Sequence, residues 1–483
     1  MTFGSSMNEF EPVTNDAHST QKSRHTLSRS HLLAIVFALN GVFLASGALG
    51  AFSTWQMGQP AQIALVMLLV AATLWISEAV PLFVTSFVIL LLGLLWLAPV
   101  MQQSGESISN TDLLAPFFSD IIVLFLGGFV LSAALHKYRL DEKLARLIIA
   151  KTGHSIPLLL IGIMAVTAFL SMWLSNTATA AMMLALCLPI VHRFPQDDRY
   201  RKAVLLSVPF AANVGGLGTP IGSPPNAIAM QYMSQGGFAP SFATWMLIGV
   251  PGVVVTLIVT WCVLMAFCRG KQQSIVQDAQ PLAIKMTPSV LTVVATALLT
   301  IIGWVTGGLH NASPGTIAIL PVVVLFGTKI LTISDLRSIS WDVLLMMGGG
   351  LCLGKAIALS GLATWFVARL PVDQSGCLML LLIVAPVACL MSSVMSNTAT
   401  ANLLMPIILG LSVEHLSPLL MGVAFACTLA MPLPVSTPPN AIAFSSGELT
   451  VKDMLAPGAI ITMIGLALAL TIGHWFWDLV GLF

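Results

Sequence analysis

From Leu32 onward the chain alternates apolar blocks of helical length with short polar connections. A helix needs about 20 apolar residues to cross a hydrocarbon core about 30 Å thick. The blocks at 32–52, 61–79, 82–100, 117–136, 203–234, 245–268, 287–308, 315–328, 341–360, 417–444 and 456–480 therefore predict eleven spanning helices. Two further apolar stretches, 155–191 and 376–410, each carry the polar triplet Ser-Asn-Thr near their middle. The segment before Leu32 is polar and rich in Ser, Thr and His, and it predicts a disordered tail that stays where it is made. The first apolar run begins too deep for a cleaved signal peptide.

Composition supports this reading. Hydrophobic residues make up 57% of the 483 and charged residues only 8%, against about 25% charge in soluble proteins. That excludes a soluble enzyme, and it excludes a disordered chain, which needs low hydrophobicity and high net charge. The class is an all-α polytopic membrane protein. A formal net charge of +1 gives no electrostatic reason to expect nucleic acid. The seven cysteines lie in or beside apolar runs without a CxxC pair, as small buried hydrophobes do.

Basic residues set the topology. With a cytoplasmic N-terminus and alternating helices, eighteen of the twenty Lys and Arg fall inside, but only if 155–191 and 376–410 each return to the side they entered. A single crossing by 155–191 would put Arg193, Arg199, Arg201 and Lys202 outside, against the positive-inside rule. Both stretches read as re-entrant hairpins, the first from inside and the second from outside, and the C-terminus ends outside.

The chain also resembles itself. Asp120–Gly128 (DIIVLFLGG) aligns with Asp342–Gly350 (DVLLMMGGG), Leu174–Ala180 (LSNTATA) with Met395–Ala401 (MSNTATA), and Ser223–Ala229 (SPPNAIA) with Thr437–Ala443 (TPPNAIA). Three matches in one order at nearly one offset indicate a tandem duplication. Each half makes an odd number of crossings, so the second copy is inverted, as in many alternating-access transporters. The predicted organisation is a tail at 1–31, a first helix at 32–60, repeat 1 at 61–268, a cytoplasmic loop at 269–286 and repeat 2 at 287–483.

The duplicated motifs carry the chemistry. Polar residues and freed backbone at membrane depth are tolerated only where they line a cavity or are buried in protein. Hairpin tips at Ser175-Asn176-Thr177 and Ser396-Asn397-Thr398 can meet near the midplane and offer hydroxyls, amides and helix N-termini, which favour anions. The competing reading is that the triplets cap turns. The Pro-Pro steps after Ser223 and Thr437 break two helices, because proline lacks the N–H and restricts its predecessor. The freed carbonyls of Gly222 and Ser436 suit a small hard cation, and the Ser223 and Thr437 hydroxyls can face a substrate; a packing kink is the alternative. No Asp, Glu, Lys or Arg occurs in the tips or broken loops, so an anion there needs co-bound cations, and sodium fits the ligands. Two equivalent tips suggest two anionic groups, hence a dicarboxylate.

Together with Ile76–Leu82 (ISEAVPL), these motifs make the chain resemble the divalent anion/sodium symporters, in particular their sodium-coupled dicarboxylate cotransporters. The resemblance covers nearly everything after residue 32. It implies a homodimer in the cell (inner) membrane, embedded in lipid, with an elevator motion that carries succinate, malate or fumarate with sodium and uses no organic cofactor. It implies carboxylate contacts from both triplets, Ser223, Thr437 and Pro438. One sodium would take Ser171, Ser175, Asn176 and the Gly222 carbonyl, and the other Ser392, the Met395 backbone, Asn397 and the Ser436 carbonyl. A sodium-independent exchanger of the same fold is the closest rival. An intramembrane enzyme has no HExxH, Ser/His pair or twin aspartates to work with. Glu78 is expected to be structural at the inner interface, and Lys355 to snorkel from a helix end.

Overall fold

The computed structural model describes residues 29–52, 55–105, 108–238, 240–271, 274, 285–369, 377–411 and 416–480. Most of the predicted tail, and the loop expected at 269–286 between positions 275 and 284, lie outside the described residues. Among the described residues the structure is helical, with one isolated β-bridge between Ser155 and Ser274.

The first helices are α1 (Arg29–Ala48), α2 (Gln59–Ser77), α3 (Leu82–Gln103, with a π turn at Gly93–Leu97) and α4 (Asp120–Lys137). A short amphipathic helix, α5 (Leu140–Ala150), follows. It buries Ala145 and Ile149 on one face, while Glu142 takes Arg139 at 2.6 Å and Arg146 at 2.9 Å on the other. The hydrogen bond from Arg139 is the main reason the Glu142 carboxyl sits below its usual range. This helix is absent from the span prediction because its charges, one turn apart, interrupt every long apolar window.

The stretch 155–191 forms two helices, α6 (Ile156–Ser171) and α7 (Asn176–Val191), joined at Met172–Ser175. The predicted block 203–234 is α8 (Tyr200–Gly215) and α9 (Pro224–Gln235). Then come α10 (Phe242–Phe267), α11 (Pro288–Val305), α12 (Pro314–Gly327) and α13 (Trp341–Leu359). The second pair of helices joined at a triplet is α14 (Cys377–Val394) and α15 (Asn397–Leu409). The second broken helix is α16 (Leu416–Leu429) and α17 (Pro438–Ser445), and α18 runs from Val451 to Leu479.

Eight helices among the described residues are long and apolar enough to cross a membrane, fewer than the eleven blocks expected. Three of the blocks differ for a physical reason: 203–234 and 417–444 are interrupted, and α12 has only 14 residues. Conversely α14, within a stretch expected to be re-entrant, reaches 18 residues and counts as long.

Two features hold the helices in register. Arg201, in the first turn of α8, donates to both oxygens of Glu448 at 2.8 and 2.7 Å, and Lys202 reaches Asp453 at 2.7 Å. These bonds join segments about 250 positions apart at the bases of α8 and α18. Glycines then let helices touch through their backbones. A methyl group at Gly349 of α13 would collide with Ser86 of α3, and one at Gly215 of α8 with the Ala168 backbone of α6.

Gly349→Ala forces one of those pairs apart, and overpacking of this kind costs about 1–3 kcal/mol or more. The variant should lose most of its monodisperse peak in detergent size-exclusion chromatography. Gly308→Ala, where a methyl meets nothing within 4 Å, should retain it.

Candidate substrate and ion site

The two triplets adopt the same local geometry. Ser175 precedes α7 at φ −56°, ψ 130°, and Ser396 precedes α15 at φ −57°, ψ 134°. Neither serine side chain makes a capping hydrogen bond, so both hydroxyls remain available. Behind each tip a buried serine meets the asparagine. Ser171 Oγ lies 2.5 Å from Asn176 Oδ1 and 2.7 Å from the Ala212 carbonyl. Ser392 Oγ lies 2.6 Å from Asn397 Oδ1 and 3.1 Å from the Cys427 carbonyl. A hydroxyl has one proton, so each cluster holds three oxygens for one hydrogen. Oxygen-rich, proton-poor clusters of this kind suit a hard cation such as sodium.

The broken helices bring the remaining ligands. Pro-Pro begins α9 and α17, and the residues before it, Ser223 and Thr437, are extended at φ −149° and −144°. The chain between the half-helices would leave carbonyls unpaired, and one asparagine in each motif answers this. Asn226 Nδ2 donates to Gly216 O at 2.7 Å and Thr219 O at 2.9 Å. Asn440 Nδ2 donates to Met431 O and Leu433 O, both at 2.9 Å. Trp245 Nε1 donates to Leu217 O at 3.1 Å. The loops also grip the tips, since Thr219 Oγ1 donates to Met172 O and Ser436 Oγ donates to Ser393 O at 2.8 Å. At Gly216 a methyl group would lie 2.8 Å from Asn176 Nδ2 and 3.1 Å from Gly222 O, so the tip, the loop and the Gly222 carbonyl converge on one spot.

A cavity of about 910 Å³ opens between these parts. Its wall includes both complete triplets, Gly222 and Ser223, and Ser436, Thr437 and Pro438. Ser171 and Ser392 are buried and reach the wall through Asn176 and Asn397. Met395 is buried as well, and its N–H is spent on Met391 O at 3.0 Å, so only its carbonyl could serve a cation.

The sequence reading missed three wall residues. Glu78, in a left-handed conformation at φ 48° where α2 ends, and Asp342, in the first turn of α13, are both exposed at the cavity. The sequence predicts an interfacial, structural Glu78; the structure puts it at the end of α2 and on the cavity wall. Asn213 of α8, only 2% exposed, also lines it. Asn213 Nδ2 donates to Thr437 Oγ1 at 3.0 Å and to Asn440 Oδ1 at 3.2 Å. In the other direction Thr428 of α16 lies 3.2 Å from Ser223 Oγ. A polar residue amid the apolar run of α8 was the available signal. Among the described residues of the wall there is no Lys or Arg to hold an anion by fixed positive charge.

Comparison with known proteins agrees with this chemistry. A sequence model of the citrate transporter family matches residues 72–417. The sodium-dependent dicarboxylate transporter SdcS of Staphylococcus saprophyticus is 33% identical over 444 residues, covering 84% of each chain. Its counterpart in Staphylococcus aureus is 32% identical over 450 residues, covering 85% of this chain and 84% of its own. In fold, the chain is similar to the YdaH transporter of Alcanivorax borkumensis, with a TM-score of 0.51 and 13% identity over 77% of this chain and 89% of that one. It is similar too to MtrF of Neisseria gonorrhoeae, described as one of a class of antimetabolite efflux pumps, with a TM-score of 0.50 and 12% identity over 74% and 83%.

Because Asn226 and Asn440 each satisfy two loop carbonyls, Asn226→Ala and Asn440→Ala leave buried acceptors bare at about 1–3 kcal/mol apiece. Both variants should unfold several degrees below the native chain in detergent thermal melts, whereas Gln103→Ala at an exposed helix end should not.

Proposed function

We propose that this chain, which belongs to the citrate transporter family and to its divalent anion/sodium symporter type, imports C4 dicarboxylates such as succinate, malate and fumarate by sodium symport. It is a multi-pass membrane transporter and not an enzyme. The observation that carries the proposal is the cavity wall. Two uncapped Ser-Asn-Thr tips and two Pro-Pro caps face one space without a Lys or Arg, and a proton-poor oxygen cluster backs each tip.

The roles follow from that wall. Ser175, Thr177, Ser396 and Thr398 offer hydroxyls to the two carboxylates, with the amides of Asn176 and Asn397 and the caps at Ser223, Thr437 and Pro438 completing the contacts. The first sodium is held by Ser171, Ser175, Asn176 and the Gly222 carbonyl, and the second by Ser392, the Met395 carbonyl, Asn397 and the Ser436 carbonyl. Transferring an uncompensated carboxylate into low dielectric costs many kcal/mol, so sodium binding is what makes dicarboxylate binding affordable, and each raises the affinity of the other.

The positive-inside count supports an inner-membrane protein with a cytoplasmic N-terminus, an external C-terminus and inverted repeats. On that topology Glu78 and Asp342 mark the cytoplasmic mouth, so the cavity is the inward-facing state. An elevator motion of the hairpins and broken helices, within a homodimer, would carry the site to the other side. The acidic mouth would then lower the local anion concentration and aid release after sodium departs.

Radiolabelled succinate uptake into proteoliposomes tests the reading. Uptake should require external sodium and fall about tenfold or more in Asn176→Ala and Asn397→Ala, the loss expected for a charge-assisted bond of about 1.5–3 kcal/mol. Ser171→Ala and Ser392→Ala should raise the sodium concentration for half-maximal uptake more than the succinate KM at saturating sodium. Sodium-independent uptake that needs internal dicarboxylate would instead make the protein an exchanger.

A further inference from the structure

The amides behind Thr437 fix the direction of its proton. Asn440 is wholly buried, and its Nδ2 donates to Met431 O and Leu433 O. Carbonyls only accept, so this amide has one orientation and its Oδ1 faces away from them. Asn213 lies 3.2 Å from that oxygen and must present Nδ2 to it. The same Nδ2 is 3.0 Å from Thr437 Oγ1, which also accepts the Asn440 backbone N–H at 3.3 Å. Both lone pairs of the Thr437 hydroxyl are therefore occupied. Its single proton is left to point into the cavity that Thr437 and Asn213 line.

The other copy lacks one member of this relay. Asn226 is oriented in the same way by Gly216 O and Thr219 O, yet its Oδ1 is buried without a partner. The position matching Asn213 is Thr428, bracketed by the equivalent carbonyl pairs Ala212/Cys427 and Gly216/Met431. Thr428 is too short to reach the asparagine. Its hydroxyl lies 2.9 Å from Ala424 O, which can only accept, and 3.2 Å from Ser223 Oγ. The one proton of Thr428 is shared between Ala424 O and Ser223 Oγ, and Ser223 accepts no backbone cap bond, so one lone pair of the Ser223 hydroxyl stays open beside its own proton.

We propose that Asn213 is a positioning residue that makes Thr437 an obligate proton donor to the substrate, so that the two ends of a dicarboxylate are read unequally. The Thr437 end demands an acceptor, an ionised carboxylate. The Ser223 end takes a group that can donate or accept, including a protonated carboxyl. The inference rests on the dicarboxylate transport reading and deepens it.

A double-mutant cycle on the full chain in proteoliposomes decides it, read as the succinate KM at saturating sodium. Asn213→Leu, which keeps the buried volume, should raise KM about tenfold, equivalent to about 1.4 kcal/mol. Thr437→Val should do the same, and the double variant should go no further. Thr437→Ser keeps the hydroxyl and should preserve the full effect of Asn213→Leu, while Thr428→Val should shift KM less than about threefold. Asn213→Ala replaces Asn213→Leu in the cycle if the latter does not fold. Multiplying effects, about a hundredfold in the double variant, or an unchanged KM in the single Asn213 variant, would overturn the inference while native uptake keeps the transport reading intact. A native chain that moves no dicarboxylate would overturn both.

Discussion

A helix interrupted inside a hydrocarbon layer leaves backbone donors and acceptors that water cannot reach, and each must find a partner within the protein. Everything about the cavity depends on how this chain meets that requirement. Side chains beside the breaks do it. Asn226 and Asn440 each serve two carbonyls, Trp245 a further one, and Thr219 and Ser436 bind the neighbouring tips. Because those partners come from behind, Ser175 and Ser396 are not consumed as caps. The loops are held rigidly while the groups facing the cavity stay unengaged, the condition a binding site needs to avoid reorganising when its ligand arrives.

The electrostatics of the wall follow a second constraint. A fixed Lys or Arg would bind an anion tightly in either state and give no reason for sodium to travel with it. Here the donors among the described wall residues are hydroxyls, amides and helix N-termini, whose partial charges cannot neutralise a dianion alone. Glu78 and Asp342 are wall residues of the opposite kind, acidic groups that disfavour an anion beside them. Under the proposed function, the missing positive charge is the coupling device, since binding of the anion is cheap only when the oxygen clusters at Ser171/Asn176 and Ser392/Asn397 hold cations.

Much of this was legible in the sequence because the physics that breaks a helix in lipid uses few residue types. Pro-Pro after Ser223 and Thr437 announced the breaks, and a polar triplet within each apolar stretch announced the tips; the structure puts all four in one wall. Helix lengths were less legible, because the apolar signal does not show that α12 stops at 14 residues or that α14 reaches 18. Asn213 was not legible because the matching position of the other copy is Thr428, so no repeated motif marks it. The place of Glu78 on the wall was not legible because it depends on distant segments, α13 among them, lining the same cavity. Lys355 lies four residues from the end of α13, half-buried and within electrostatic reach of Asp112.

Duplication explains why a site has two ends, and divergence explains why the ends need not behave alike. The backbone at the two tips agrees within a few degrees, so the copies have kept the geometry that places ligands. They differ one layer back, where an amide at Asn213 faces Thr437 and a hydroxyl at Thr428 faces Ser223. An amide nitrogen can only donate, whereas a hydroxyl can do either, so a single exchange of residue type changes what the cap in front of it can do without moving it. A substrate with two identical carboxylates then meets a wall that is symmetric in shape and asymmetric in proton supply. Which end of the site demands an ionised carboxylate is set by hydrogen-bond polarity, a property that sequence identity between the copies at the motifs themselves would not reveal.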